Sequence, residues 1–445
     1  MQLETIFKAY DVRGIVPAQL DEDAARRIGI GFAEFADSPR IIVGGDVRRS
    51  SPMLIAALSD GIMSRGVDVL DIGQITTDAL YFVSGSEHLP GVVVTASHNP
   101  AEWNGMKFCL PGAAPVGEET GLSDILAVAT DPPANSPEPG SIEHRDILDG
   151  YVDHLFSVVD ATRFADLRVA VDAGNGMAGI ALPAVFERTP ATLDGLYLDP
   201  DGTFPNHPAD PLQPENLEDL LAHMAQTPAD LGVAFDGDAD RAFFIDDRGV
   251  PLPGSATTAL IADWFLRANK GATVVYNLIC SKAVPETIEN AGGLPVRTRV
   301  GHSFIKQIMK DTGAVFGGEH SGHYYFADNY RADSGILAML VLMQVLSEAE
   351  EPLSKLRQAY EPYAASGEIN YDVADRQGVM RAVEEAFSDA EADYLDGLTV
   401  DLGDRWFNLR PSNTEPKLRL NAEAPHQEAV DQLVAEVATI IMEQS

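Results

Sequence analysis

RIIVGGDVRRSSPMLIAALSDGIMSRGVDVLDIG, residues 40–73, decides the architecture. RIIVGG reads as a buried strand, an apolar run stopped by glycine and Asp46. The stretch from Pro52 to Gly66 has the spacing of an amphipathic helix closed by a turn signal. VDVLDIG is a second apolar strand. Strand, short loop, helix and strand together are the grammar of an α/β unit with parallel pairing.

The same grammar recurs without repeating the letters. Residues 168–198 run RVAVDAG, NGMAGIALPAVFERT and LDGLYL; residues 272–300 run ATVVYN, SKAVPETIENAGG and LPVRTRV. Beyond each unit lies one more strand ending in a polar loop: GVVVTASHNP (91–100), LGVAFDGDADR (231–241) and GAVFGGEHSGH (313–323). Loops at strand ends on a rigid sheet are where α/β proteins place chemistry. Three such domains are expected to direct their loops to one cleft.

Pro-, Ser- and acid-rich DPPANSPEPGS (131–141) and GVPLPG (249–254) read as linkers. After an apolar helix over 334–348 and a segment at 352–360, the chain changes character. Helical VMRAVEEAF (379–387), strand-like LTVDL (398–402) and WFNLR (406–410), and a closing helix near 426–442 predict a smaller α+β domain. The expected fold is α/β: three related α/β domains around a cleft, over 1–146, 147–250 and 251–362, with an α+β domain over 363–445.

A net charge of −37 disfavours nucleic acid or an anionic membrane surface as partner, and requires any site for phosphorylated substrates to gather cations locally. Two cysteines, Cys109 and Cys280, support neither a disulfide framework nor a cysteine zinc site. The opening MQLETIFKAYDVRG lacks the basic start and apolar run of a signal peptide, and no apolar stretch reaches membrane-spanning length. A cytoplasmic setting is expected.

The polar loops carry the chemistry. Ser97 follows a buried strand, and Asn99-Pro100 turns the chain at once, pushing the hydroxyl out as a nucleophile requires; a serine capping a turn is the rival reading. No G-x-S-x-G occurs, so a serine-hydrolase elbow is not supported. In DGDADR, Asp236, Asp238 and Asp240 alternate with small residues, so three carboxylates can approach one hard cation. An EF-hand would need Gly and Glu where Arg241 and Asp247 stand, and helices where the flanks read as strands. Mg²⁺ suits three carboxylates plus a phosphate oxygen better than a full protein cage.

Asp199-Pro200-Asp201-Gly202-Thr203 matches the D-x-D-G-T nucleophile of haloacid-dehalogenase-like enzymes, but the prolines of FPNHPADP forbid the helix that should follow. His320-Ser-Gly-His323 lacks further clustered ligands for zinc. Glu319 and Ser321 suit neighbouring sugar hydroxyls. Arg410, Ser412, Asn413 and Thr414 in RPSNTEP suit a phosphate.

The set KAYDVRG (8–14), TASHNP (95–100), DGDADR (236–241), GEHSGH (318–323) and RPSNTEP (410–416), in this order over nearly the whole chain, resembles the α-D-phosphohexomutase family. GEHSGH and VGHSFIK (300–306) are similar to its phosphomannomutase/phosphoglucomutase branch. The resemblance implies that Ser97 is a phosphoserine whose phosphate completes a Mg²⁺ site with Asp236, Asp238 and Asp240. It implies that Arg13, Lys107 and Arg241 surround the transferring phosphoryl, with His98 beside the serine. Lys107, His302 and His323 are candidates for the base that deprotonates the sugar. Glu319 and Ser321 would hold sugar hydroxyls. Arg410, Ser412, Asn413 and Thr414 would grip the non-reacting phosphate, with Tyr10 and Lys282 as further substrate contacts. The implied reaction interconverts hexose 1-phosphate and hexose 6-phosphate of mannose or glucose through a hexose 1,6-bisphosphate. A phosphoglucosamine mutase and a non-catalytic sugar-phosphate-binding relative are the alternatives.

Overall fold

The structure is a computed structural model that describes residues 3–349, 351–411 and 417–444, with His302 described by its backbone alone. Seven strands form the first sheet: β1 (Val12–Ile15), β2 (Arg40–Gly45), β3 (Asp68–Gln74), β4 (Gly91–Val94), β5 (Trp103–Leu110), β6 (Ala114–Pro115) and β7 (Ile142–His144). Their order is β1-β5-β4-β2-β3-β7, with β6 against β5. The deciding stretch behaves as its pattern predicts: β2 and β3 pair in parallel, joined by the helix Ser51–Met63. β4 also runs parallel to β2, but β5 runs antiparallel to β4. The TASHNP connection is too short for a crossover, so the chain must fold straight back.

The second sheet repeats this plan with β8 (Arg168–Asp172), β9 (Thr192–Leu196), β10 (Leu231–Phe235) and β11 (Ala242–Ile245), ordered β11-β10-β8-β9. β8 is parallel to β9 and to β10, and β11 returns antiparallel through DGDADR. The TASHNP and DGDADR loops thus each join a parallel strand to an antiparallel partner. Held by ladder hydrogen bonds on both sides, such a loop has little freedom. A third pair, β12 (Thr273–Asn277) and β13 (Leu294–Thr298), is parallel around the helix Ala283–Asn290.

The chain divides into two compact units. The first gathers residues through Leu252 with Gly301–Gly317 and Ser321–Ser354; the second gathers Pro253–Val300, Gly318–His320 and residues from Lys355 onward. The third α/β segment of the sequence is therefore split, and so is its GEHSGH loop.

In the first unit the helix Gly335–Glu348 is buried from Gly335 to Leu346, as a helix apolar on every side must be. Its buried Gln344 is satisfied, accepting from the Asp160 N–H at 3.1 Å and donating to Glu348 at 2.8 Å. Among the described residues no helix is long and apolar enough to cross a membrane. The segment after Asp199 forms no helix until the short 3-10 turn Pro214–Leu217, as its prolines dictate.

In the second unit the C-terminal segment builds an antiparallel sheet that includes Leu398–Asp401, Trp406–Pro411 and Lys417–Ala424. The helices Arg376–Ala386 and Gln427–Gln444 bury Val379, Val383, Leu433 and Val437 with Phe407, Leu409 and Leu420 of the strands. Ser412, Asn413 and Thr414 lie outside the described residues.

Candidate active site

Ser97 sits beyond the end of β4 with φ at 50°, a left-handed conformation that costs a non-glycine residue about 1–3 kcal/mol unless its surroundings impose it. Its N–H donates to Thr95 Oγ1 at 3.0 Å, and the next turn closes through Asn99 N–H to the Ala96 carbonyl at 3.0 Å. These contacts aim the buried hydroxyl at the DGDADR loop, where Ser97 Oγ donates to Asp236 Oδ2 at 2.8 Å. The loops touch through their backbones: a Cβ on Gly237 would stand 2.4 Å from the Ser97 carbonyl oxygen, so the second residue of DGDADR has to be glycine.

Asp236, Asp238 and Asp240 are buried, each offering an oxygen within 4.8 Å of the others. Three carboxylates in one buried place repel one another. Burial, then Asp240 and Asp238, push Asp236 well above the usual carboxylate range. Lys107, on β5, donates from Nζ to Asp238 Oδ2 at 2.7 Å and Asp240 Oδ2 at 2.5 Å. Burial works to lower the Lys107 pKa, but the two carboxylates outweigh it and hold it well above the ordinary lysine value. Asp238 Oδ1 and Asp240 Oδ1 are buried without a hydrogen-bond partner among the described residues. Orphaned carboxylate oxygens beside one another fit a hard divalent cation, with oxygen-only ligands.

The remaining cations frame Ser97. Arg241 Nε lies 3.4 Å from Asp236 Oδ2, and its Nη2 is 2.5 Å from His98 Nδ1. Arg241 foremost, then burial, hold His98 well below the ordinary histidine range. His98 is thus a neutral ring accepting at Nδ1, which also lies 3.2 Å from Ser97 Oγ. Arg13 is aimed by Asn99 Oδ1 at 2.6 Å and Asp11 Oδ2 at 2.5 Å. His323 pairs by backbone with Arg241, lies 3.1 Å from Ser321 Oγ through Nδ1 and 3.6 Å from Asp240 Oδ1 through Nε2. Tyr10 packs edge-on against Phe304.

The first unit therefore brings together Arg13, Ser97, His98, Lys107, the three aspartates, Arg241 and the Ser321–His323 end of GEHSGH. Glu319, Lys282 and Arg410 belong to the second unit. There Glu319 is buried and accepts from Asn277 Nδ2 at 3.1 Å. Lys282, expected as a substrate contact, donates from Nζ to Asp401 Oδ1 and to the Gly403 carbonyl, both at 2.8 Å. Arg410 donates from Nη2 to Glu368 Oε2 at 2.9 Å. His320 Nδ1 lies 2.9 Å from Ser255 Oγ.

The sequence reading passed over several residues that build this site. Thr77 donates from its N–H to the Asp238 carbonyl at 3.0 Å and from Oγ1 to Asp238 Oδ2 at 2.6 Å. Beside it, Asp78 is buried and accepts hydroxyls from Thr76 at 2.5 Å, Tyr151 at 2.6 Å and Ser334. Burial pushes Asp78 up to about 6 even against those hydrogen bonds. Arg48 is wholly buried and donates to the carbonyls of Ser97, Asn99, Pro100 and Trp103. One signal was available for it: Asp46-Val47-Arg48 follows β2 just as TASHNP follows β4, a polar loop at a parallel strand's end.

A buried hydroxyl touching a carboxylate cluster, framed by guanidinium and ammonium groups on α/β sheets, is an arrangement that suits a phosphoryl-transfer enzyme. The comparisons make that class specific. Models of the phosphoglucomutase/phosphomannomutase alpha/beta/alpha domains I, II and III match residues 4–131, 149–249 and 253–363, and the model of the C-terminal domain matches 368–440. A protein named phosphohexose mutases from Xanthomonas campestris is 41% identical over 424 residues, 94% of each chain. A phosphomannomutase from Escherichia coli K12 is 40% identical over 438 residues, 95% of this chain and 96% of that one. A crystal structure of a phosphoglucomutase/phosphomannomutase family protein from Burkholderia thailandensis superposes with a TM-score of 0.92 at 32% identity, covering 100% of this chain and 98% of that one. The chain belongs to the phosphoglucomutase/phosphomannomutase family, and it is a phosphohexomutase acting on sugar phosphates.

Proposed function

We propose that the enzyme interconverts the 1- and 6-phosphates of mannose, glucose or both, with Ser97 as the phosphoryl carrier. The observation that carries this reading is Ser97 Oγ at 2.8 Å from Asp236, beside the orphaned oxygens of Asp238 and Asp240. In the forward half-reaction the sugar hydroxyl oxygen forms a bond to the serine phosphorus as the P–Oγ bond breaks. A base takes the sugar proton, which returns to Ser97 Oγ. The product is a hexose 1,6-bisphosphate, which turns round and gives its other phosphoryl back to Ser97.

Arg13, Lys107 and Arg241 neutralise charge on the phosphoryl oxygens, the main demand of this chemistry. The Lys107 ammonium, held between two carboxylates, suits that role better than proton abstraction. His323, within 3.6 Å of Asp240, is the better candidate for the base; His302 is the other. Asp236, Asp238 and Asp240 are the residues that would hold Mg²⁺, and bound Mg²⁺ would supply further charge neutralisation. Glu319 and Ser321 would meet sugar hydroxyls, and Tyr10, Lys282, Arg410, Ser412, Asn413 and Thr414 the sugar and its non-reacting phosphate. The names of the relatives support mannose phosphate as a substrate, and buried, unpaired Cys109 and Cys280 suit a cytoplasmic setting.

The test has two arms: coupled assays on mannose, glucose and glucosamine 1-phosphates, and phosphopeptide mapping of the purified enzyme. Turnover of mannose or glucose 1-phosphate with phosphate on Ser97 is expected. Turnover of glucosamine 1-phosphate alone would replace the sugar assignment, and phosphate on a different residue would remove Ser97 from its role.

A further inference from the structure

All five N–H groups of the Arg48 guanidinium are in use. Nε donates to Asp46 Oδ2 at 3.0 Å, Nη1 to the carbonyls of Pro100 at 2.6 Å and Trp103 at 3.0 Å, and Nη2 to those of Ser97 at 2.7 Å and Asn99 at 2.6 Å. Asp46 is fixed in turn by Ser51 Oγ at 2.6 Å and by the Arg48 N–H at 3.0 Å. One buried side chain thus binds four carbonyls of the segment that carries Ser97 in its left-handed conformation. Backbone strain of that kind survives only where the surroundings over-determine it.

Arg48 is itself held from the second sheet by the segment with the D-x-D-G-T letters. The Phe204 ring lies 5.1 Å from the guanidinium carbon, within cation–π range. A Cβ on Gly202 would stand 2.4 Å from the Val47 carbonyl oxygen and 2.6 Å from Arg48 Cα, so only glycine permits that approach. The segment is tied down by its own side chains. Asp201 Oδ1 accepts from Thr203 N–H at 2.9 Å and Oγ1 at 2.7 Å, and Asn206 Nδ2 donates to Asn175 Oδ1 at 2.8 Å. His207 sets one ring nitrogen 3.0 Å from Asp172 Oδ2 and the other 2.8 Å from the Pro208 carbonyl.

We propose that Arg48, clamped by Gly202 and Phe204, is a positioning residue for phosphoryl transfer, holding the serine loop so that Oγ of Ser97 meets the metal loop. The inference rests on Ser97 being the phosphoryl carrier. A lysine cannot replace the fork: its ammonium is one point with three donors, and carbonyls of the loop would be left without a partner. Loosening the loop misplaces the reacting oxygen without touching the groups that bind the sugar. The loss should fall on the transfer step.

The experiment uses full-length Arg48→Lys and Phe204→Leu, with circular dichroism and thermal melts to count folded enzyme. Dephosphorylated enzyme is mixed with glucose 1,6-bisphosphate, and Ser97 phosphorylation is followed by rapid quench and phosphopeptide analysis. Per folded molecule, Arg48→Lys should slow transfer on the order of 10²-fold, the scale of a misplacement of about 1 Å, with KM for the monophosphates changed by less than about threefold. Phe204→Leu, which keeps the guanidinium but removes the stacked ring, should slow transfer by about 3–10-fold, a cost set by the cation–π contact. If Arg48→Lys does not fold, Phe204→Leu decides alone. Wild-type transfer rates per folded molecule in the deciding variant would overturn the inference, as would a loss appearing only in KM. Wild-type enzyme without phosphate on Ser97 would instead overturn the catalytic reading beneath it.

Discussion

The serine–aspartate centre of the first unit and the cations Lys282 and Arg410 of the second are held in opposite ways. Around Ser97 the groups are fixed by partners that are mostly buried: Thr95 and Arg48 hold the loop, Thr77 and Lys107 hold Asp238, and half-buried Asn99 and buried Asp11 aim Arg13. In the second unit Lys282 and Arg410 rest on Asp401 and Glu368, carboxylates that are 43% and 33% exposed. Phosphoryl transfer rewards placement to a fraction of an ångström, so its groups are pre-set. A binding cation needs only to be available. An ion pair near solvent is worth about 0–1 kcal/mol, so a phosphate bound there would displace the carboxylate at little cost.

If this contrast is right, substitutions in the first unit should damage the chemical step and those in the second should damage binding. The largest effect belongs to Ser97→Ala, which removes the proposed phosphoryl carrier: kcat should fall on the order of 10³-fold or more. Retention of near wild-type turnover would break the comparison at its centre. Next comes Asp238→Asn. Removing a ligand should weaken Mg²⁺ binding, read by calorimetry, by more than the about 10–100-fold typical of an outer-shell partner. Chelation should abolish wild-type activity, and Mg²⁺ should restore it better than Zn²⁺. Unchanged Mg²⁺ affinity in Asp238→Asn would show that the orphaned oxygens serve something else.

Much of this contrast was legible beforehand, and the illegible part has a physical pattern. Strand–helix–strand periodicity located β2, β3, β8, β9, β12 and β13, because apolar spacing is a local property. The cluster of Asp236, Asp238 and Asp240 was legible because its three carboxylates lie within five residues. Arg48, Thr77 and Asp78 were not, since their partners lie far along the chain: Thr77 is separated from Asp238 by 161 positions and Arg48 from Ser97 by 49. Hydrogen bonds to backbone carbonyls leave no mark on the letters of the residues that accept them. The division of GEHSGH between the units was equally hidden, for compactness depends on packing rather than on motif continuity. The strand Lys417–Ala424 was not read from the sequence, although the letters LRLNAEA alternate apolar and polar.

Arg410→Ala tests the second unit directly. Losing one charge-assisted contact to phosphate should cost about 1.5–3 kcal/mol, seen as a raised KM for both the 1- and the 6-phosphate with kcat little changed. A rise confined to one of the two monophosphates would mean that the two poses of the sugar use different cations.

The smallest effect is the sharpest test, because its sign separates two roles for one carboxylate. Glu368 accepts from Arg410 Nη2 at 2.9 Å, and its other oxygen lies 3.5 Å from Arg419 Nη1. If it only holds Arg410 between turnovers, it competes with phosphate, and Glu368→Gln should free the guanidinium. KM for both monophosphates should then fall by about 2–5-fold, the range open to a pair worth less than about 1 kcal/mol. Added salt should erase that advantage, because screening weakens the wild-type pair but has no such pair to weaken in the variant. If Glu368 instead aims Arg410, as Asp11 aims Arg13, the same substitution should raise KM, and salt should not bring the two enzymes together. Steady-state kinetics at about 20 and 300 mM salt, across the change in Debye length, distinguish the outcomes. A raised KM would mean that the second unit, too, is pre-set, and the division of labour between the units would have to be given up.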